Sequence, residues 1–393
     1  MKGYIKTFVI SVMLLTLTGC WNLRDLTDLA IMTGVAIDKT KDNYIEMTVQ
    51  IVKPEAVKTA MGSGGSSASN TGKAYVNVTS YGKTMFEAAR NLLAKLNKKA
   101  YFAQVQLIVI SEDAARDGIS NYFDLFERDA ETRGRADIMI AKGMKAKTVL
   151  EAESRLTKLP TTHNVEALRA SKRFGKIIRT TSIDVLKSNS MKGNDIVLPV
   201  IYNNGQQNDV YQEDLIMEGT AVIRKDKLVG FFDAYQTRGY LFAKSKLNST
   251  IINVPSPLNP EKAVSIEVIR SRGKIEAKMN NGKPVCSIEV KTEGNIGEQQ
   301  EAGDLTKPDT IKALESETEN EIRDEIINTV KISQKEYQSD VFGFINDIYK
   351  NYYSEWKGIV DNWPDIYSKT AVNVKVKFKI RSSGLIKEPS KPK

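Results

Sequence analysis

Few side chains in this 393-residue chain could do chemistry. The chain has two cysteines, Cys20 and Cys286, and one histidine, His163. A single histidine rules out a His-rich zinc site, an HExxH zinc helix and any triad with a second histidine. A Ser-His-Asp arrangement would need His163 as its base. That residue stands in Leu159-Pro160-Thr161-Thr162-His163-Asn164-Val165-Glu166-Ala167-Leu168, near a helix start, where it reads as a first-turn surface residue. No GxSxG or CxxC is present. One run imitates a nucleotide site. Tyr75-Val76-Asn77-Val78-Thr79 alternates like a strand, and Gly82-Lys83-Thr84 then opens a helix, the order of a phosphate-binding loop. Such a loop needs a glycine five residues before Gly82, so that backbone amides can wrap the phosphates, and Asn77 holds that position. Thr84 and Glu87 are expected to form a capping box on a helix Met85–Asn97 instead. Carboxylates are too many, at 48, for an acid–base pair to be singled out. The sequence therefore offers no catalytic residue, metal ligand or cofactor site.

Cys20 has a more definite chemistry. Lys2 and Lys6 precede an apolar stretch from Phe8 to Leu17, and Leu17-Thr18-Gly19-Cys20 closes it. A membrane-spanning helix needs about 20 apolar residues, so this stretch is too short to span. It has the length of a signal-peptide core, with small residues at the cleavage point. The pattern is a lipobox. It predicts removal of residues 1–19 and alkylation of the Cys20 sulfur by a diacylglyceryl group, sulfur being the most nucleophilic side chain available. One acyl chain binds a membrane only marginally, whereas two anchor it stably. Cys286 is then alone, so no intramolecular disulfide can form. It lies in the strand-like run Pro284–Val290 and reads as a buried, inert thiol. The sequons at Asn77 and Asn248 are discounted, because a lipobox implies a bacterium.

Lys and Arg number 57 against 48 Asp and Glu, a net charge of +9, and +7 once Lys2 and Lys6 leave with the leader. A basic surface suits a protein beside anionic lipid headgroups.

The length predicts two or three domains, and punctuation favours three. The first covers 20–190. Strands are expected at Ile31–Ile37, Tyr44–Val52, Val105–Ile110 and Asp137–Ala141, with helices at Met85–Asn97, Glu112–Asp117 (Ser111 as N-cap), Tyr122–Arg128 and Thr148–Leu156. A Gly/Ser-rich stretch at 62–72 reads as a flexible loop. A strand-rich second domain covers 194–297. Its expected strands are Ile196–Ile201, Leu215–Arg224 and Leu228–Phe232, then a pair Val264–Arg270 and Lys274–Met279 turning at Arg272-Gly273, then Val285–Thr292. The third, 303–385, begins with a long helix from Pro308 to about Lys335. Asp309, Glu315, Glu317, Glu319 and Glu321 crowd its first turns and match the helix dipole. A second helix, Asp340–Trp356, carries Val341, Phe344, Ile345, Ile348, Tyr349, Tyr352 and Trp356 as core packing. In the last strand Val372, Val374, Val376, Phe378 and Ile380 share one face, and Asn373, Lys375, Lys377, Lys379 and Arg381 share the other. That basic face is either a solvated surface that discourages edge aggregation or a contact for lipid phosphates or an acidic partner. The fold class expected is α+β: three domains, each a mixed or antiparallel sheet packed with helices, behind a cleaved lipoprotein signal peptide.

Several segments, in order, resemble the Ger(x)C lipoproteins, the C subunits of spore germinant receptors. They begin with Gly19-Cys20-Trp21-Asn22-Leu23-Arg24-Asp25 running to Gly34-Val35-Ala36-Ile37-Asp38-Lys39. The likeness continues through Gly82-Lys83-Thr84 with Glu87-Ala88 and Arg90-Asn91-Leu92, then Tyr101-Phe102-Ala103 and Val109-Ile110. It takes in Phe126-Glu127-Arg128-Asp129-Ala130-Glu131-Thr132-Arg133, Glu218-Gly219-Thr220-Ala221-Val222, Thr237-Arg238-Gly239-Tyr240-Leu241 and Ser339-Asp340-Val341-Phe342-Gly343-Phe344, and ends on the Val372–Ile380 strand. The chain departs from the family pattern in the extra lysines between Asn91 and Tyr101, and in Ile345 where a glycine is common. The resemblance implies a lipoprotein on the outer face of the spore inner membrane. It would act beside integral-membrane A and B germinant receptor subunits, hold to the bilayer through a diacylglyceryl anchor, and have no catalytic residue and no nucleic-acid partner. The competing readings are a solute-binding lipoprotein feeding a transporter and a cell-wall enzyme. The strand-rich middle argues against the first, and the missing constellations against the second.

Overall fold

The structure is a computed structural model that describes residues 3–4, 28–54, 73–128, 135–205, 211–300 and 303–383. Cys20, the leader beyond Tyr4, the 62–72 stretch and Asp129–Arg133 lie outside the described residues. The architecture is α+β, with two sheets packed by helices.

The first sheet takes β1 (Leu29–Lys39), β2 (Ile45–Val52), β3 (Tyr75–Gly82), β4 (Lys99–Tyr101), β5 (Leu107–Ser111), β6 (Asp137–Ala141), β7 (Ile196–Asn203), β8 (Leu215–Arg224) and β9 (Lys227–Phe232). Their order is β3-β2-β1-β5-β6-β7-β8-β9, with β4 paired beside β1. Strands β1, β5, β6 and β7 run parallel, and antiparallel strands flank that block on both sides. Every residue of β5 and β6 is buried. This follows from helices lying on both faces of the parallel block, where continuous apolar runs replace alternation. Ile108, Ile110, Ile138 and Ile140 enter one core. Leu107, Val109, Met139 and Ala141 enter the other, below the helices Ala146–Glu151 and Pro160–Ala170.

The second sheet has the order β10-β11-β12-β13, from β10 (Thr250–Pro255), β11 (Ala263–Asn280), β12 (Lys283–Gln299) and β13 (Val372–Ser382). One face is buried under the helices Ala234–Ala243, Pro308–Lys335 and Phe344–Asn351, and the other faces outward. Val197, Val222 and Phe232 of the first sheet join Ile252, Ile288 and Phe378 of the second in one hydrophobic core.

Pairing departs from the sequence expectation in four places. The strands expected to head a separate domain at 194–297 split, because β7–β9 complete the first sheet. The segment 303–385 likewise has no sheet of its own, since β13 pairs in parallel with β12. Alternation reports which face of a strand is buried and not which strand lies beside it. The expected pair turning at Arg272-Gly273 is one continuous strand, β11. A Cβ on Gly273 would stand 2.3 Å from the carbonyl oxygens of both Phe242 and Ala243, so this glycine permits a close backbone crossing. The true turn is Asn281-Gly282, with φ of 49° and 74°, as a two-residue hairpin of matching twist requires. Finally, the helix expected over Asp340–Trp356 starts only at Phe344 and breaks at Tyr352 (φ −141°, ψ 54°) before resuming at Tyr353–Ile359. Phe344, Ile345 and Ile348 are core. Tyr349 is 43% exposed and packs edge-on against Tyr353 and Trp356.

Cys286 is fully buried on the inner face of β12, and burial pushes its thiol well above the ordinary range. It is expected to resist maleimide in the native protein and to react on unfolding. Rapid native labelling at Cys286, read by mass spectrometry, would contradict this packing.

Candidate functional site

Cys20, the proposed lipid-bearing residue, is outside the described residues, and the described chain resumes at Asp28, one residue before β1. No described helix is long and apolar enough to cross a membrane.

The nucleotide-like run resolves into a helix cap. Thr84 Oγ1 accepts from the Glu87 amide at 3.1 Å, and the Glu87 carboxylate accepts from the Lys83 amide at 2.7 Å. The helix that follows is Met85–Leu93, one turn shorter than expected. Asn77, in place of the glycine, donates to the Leu150 carbonyl at 2.8 Å. Gln50 shares that acceptor at 2.9 Å, and its own side-chain oxygen receives the Thr161 hydroxyl at 2.8 Å. Asn77 therefore fastens β3 to the helix layer.

His163 lies in the first turn of Pro160–Ala170, as its sequence context predicts, but half-buried. Its Nδ1 is 2.9 Å from Ser154 Oγ, and that hydroxyl also lies 3.0 Å from Glu213 Oε1. Serine, not histidine, is the middle member. A triad needs the histidine between the nucleophile and the acid. The Ser154 oxygen instead accepts the amides of Leu156 and Thr157, both at 3.1 Å, which fixes a turn. Among the described residues no group of three His, Cys, Asp or Glu could hold a metal ion.

An open groove of about 430 Å³ lies at the N-terminal ends of β5 and β6, lined by Gln104, Gln106, Arg135, Asp137, Arg169 and Arg179, among others. Arg179 grips buried Asp137 with two bonds, of 2.7 and 3.1 Å. Desolvation raises the Asp137 carboxyl above its ordinary range, against the pull of that guanidinium.

The predicted basic residues do share one surface. Lys375, Lys377, Lys379 and Arg381 alternate along the outer face of β13, and all four are exposed. Register places Lys375 beside Glu289, Lys377 beside Lys291 and Lys379 beside Glu293 on β12. Beyond β12, β11 puts Lys274 opposite Glu289, Arg272 opposite Lys291 and Arg270 opposite Glu293. Lys278 and Lys283 extend the face toward the hairpin tip. Four ion pairs draw on it: Lys379–Glu315 at 2.9 Å, Arg381–Glu293 at 2.7 Å, Arg270–Glu293 at 4.0 Å, and Lys274–Glu276.

The free edge of β13 is covered as well. Its Phe378 and Ile380 amides donate to Glu319 and Glu315 of the long helix, at 2.9 and 3.0 Å. Those glutamates thus block further strand addition. The sequence reading had assigned them to the helix dipole; the signal it passed over was their i,i+4 spacing facing a strand with unpaired amides.

Two buried charged groups were also missed: Asp340, and the Arg238–Glu325 pair. Asp340 and Arg238 lie in segments quoted above for their family resemblance, whereas Glu325 lies within the long helix Pro308–Lys335.

Comparison with known proteins bears on the whole chain. The model described as "Spore germination protein N-terminal domain" matches residues 22–202, and "Spore germination B3/ GerAC like, C-terminal" matches residues 218–384. Spore germination protein KC of Bacillus subtilis (strain 168) is 29% identical over 396 residues, covering 96% of this chain and 95% of the relative. Spore germination protein B3 of the same organism is 26% identical, covering 98% of this chain and 100% of the relative. The crystal structure of the GerBC protein aligns with a TM-score of 0.54 at 19% identity, covering 91% of this chain and 99% of that one, a likeness of fold.

Proposed function

The chain belongs to the Ger(x)C family of spore germination proteins, and from that premise we propose that it is the lipid-anchored, non-catalytic subunit of a nutrient germinant receptor. The observation that carries the proposal is its end-to-end match to spore germination proteins, in which both family domains occur in order behind Leu17-Thr18-Gly19-Cys20. In this reading the protein stands on the outer face of the spore inner membrane beside integral A and B subunits and works by protein–protein contact. An acylated Cys20 confines it to two dimensions and raises its effective concentration next to those subunits. Two candidate reactive groups hold structural bonds instead: Thr84 caps a helix, and Ser154 fixes a turn.

Cys20→Ala is expected to leave the fold intact and to release the protein from spore membranes after a high-salt wash, which screens any residual charge attraction. Membrane fractionation is the measurement. A variant that stays with the salt-washed membrane as the wild type does would remove the anchor from the proposal.

A further inference from the structure

One part of the outer face of the second sheet concentrates positive charge. From the bulge between Val268 and Arg270 down to the hairpin tip, β11, β12 and β13 present ten Lys or Arg side chains against Glu276, Glu289 and Glu293. Setting those ten and three aside leaves 47 basic and 45 acidic residues in the rest of the chain. The leader's Lys2 and Lys6 account for that remaining difference, so this part of the face carries an excess equal to the net charge of the mature protein, while exposed Glu267 and Glu298 lie on the same face beyond the bulge.

We propose that this face docks on an anionic phospholipid surface. Arg272, Lys278, Lys283, Lys291, Lys375 and Lys377 make no ion pair among the described residues, and all six are exposed. Strand pairing holds the charges about 4.8 Å apart across the sheet and about 6.8 Å apart along it, a broad grid and not a pocket. The composition separates a bilayer from an acidic protein. Protein interfaces are built on aromatic, Met and Arg anchors and are depleted in Lys. Here seven of the ten cations are lysines, and the large apolar side chains left exposed are Ile269, at the bulge that bounds the stretch, and Val285 near the hairpin tip. A face with little apolar surface gains mainly by charge, which is what anionic headgroups supply without a fixed geometry. For its biological surface the inference rests on the membrane placement proposed above. Its test does not.

The mature chain carrying Cys20→Ala, and therefore no lipid, is floated with vesicles rich in phosphatidylglycerol or made of phosphatidylcholine alone, at low ionic strength. Binding is expected to the anionic vesicles only, and to fall as salt is raised. Each lysine near such a surface is worth about fivefold, so Lys291→Glu, Lys375→Glu and Lys377→Glu together should lower partitioning at least about a hundredfold. Arginine at the same three positions should preserve it, because a bilayer reads charge and not side-chain shape. Lys41→Glu, Lys98→Glu and Lys187→Glu, exposed but off this face, change net charge equally and should leave most of the binding. Equal retention of wild type and face variant overturns the inference, as does equal loss in the two triple variants. So does capture by an acidic protein with no vesicle binding. Failure of the anchor would register separately, as an unmodified Cys20 in the mass of the native protein.

Discussion

Replacing Asp340 by alanine is expected to cost about 3–5 kcal/mol of folding stability, since several buried donors lose one shared acceptor at about 1–3 kcal/mol each. Asp340 is 1% exposed. Its carboxylate accepts the amides of Gly343 at 2.8 Å, Phe344 at 3.1 Å and Ile345 at 2.9 Å, and the Trp363 indole at 3.0 Å. Alanine would leave the Phe344 and Ile345 amides and the Trp363 indole without that acceptor beside Phe342, Phe344 and Tyr367, while the Gly343 amide keeps the residue-340 backbone carbonyl at 3.2 Å. The neighbouring bonds extend the damage. Ser339 donates to Asp195 at 2.8 Å, and Asp195 accepts from the Lys225 amide at 2.8 Å, so the knot ties the first sheet to the helical layer of the second. Burial pushes the Asp340 carboxyl up to about 6 in spite of its donors. An unfolded aspartate titrates near about 3.9. Because the folded value is the higher one, the contribution is largest below the unfolded value and is lost as pH rises through about 6. Asp340→Asn should therefore flatten the stability curve between pH about 4 and about 6 relative to wild type. Denaturant titrations across that window measure both effects. Parallel wild-type and Asn curves, or an alanine variant within about 1 kcal/mol of wild type, would refute the account.

This knot marks where legibility in the sequence ended. Patterns that report burial directly were readable: the alternation of Val372–Ile380, the largely apolar runs of β5 and β6, the Thr84 cap and the Ser111 cap. Each depends on residues a few positions apart. Pairing across the chain is different. Nothing local to Ile196 or Val372 says that one strand joins β6 and the other β12. Gly273 misled for the same reason, since a glycine at a crossing and a glycine at a turn look alike until the Phe242 and Ala243 carbonyls are seen above it. Of the candidate site, the basic strand was legible as a face. Its enlargement to three strands was not, because Arg272 and Lys291 lie on strands whose register is set by the Asn281-Gly282 turn. Buried charge was hardest to foresee. Glu325 sits in an acid-rich helix of ordinary surface composition, and only its place on the stripe Thr318, Ile322, Glu325, Ile326, Thr329 betrays the side it faces.

Glu325→Ala and Arg238→Ala are each expected to cost about 3–5 kcal/mol, and the two losses should fall well short of adding. The side chains of the pair are 5% and 6% exposed. Arg238 Nε donates to Glu325 Oε2 at 2.9 Å, Nη2 donates to Oε1, and Nη1 donates to the Ile251 carbonyl at 2.7 Å. Either single change strands the other ion in a core. Glu325 registers that setting already, its carboxyl raised above the ordinary range by desolvation that outweighs the guanidinium's opposing pull. Backbone approach makes the site unforgiving. A Cβ on Gly239 would lie 2.7 Å from the Glu325 carbonyl oxygen and 2.6 Å from Thr329 Oγ1, so the helices Ala234–Ala243 and Pro308–Lys335 touch at that glycine. Their spacing is thereby fixed, and the charged pair beside it cannot relax outward. Replacing both ions by methionine removes the unpaired charge while keeping most of the volume, and should recover part of either single loss. Recovery stays incomplete because the Ile251 carbonyl loses its donor. A double-mutant cycle in denaturant decides the matter: simple additivity of the two single losses would mean that Arg238 and Glu325 act separately, and that the helix contact at Gly239 holds without them.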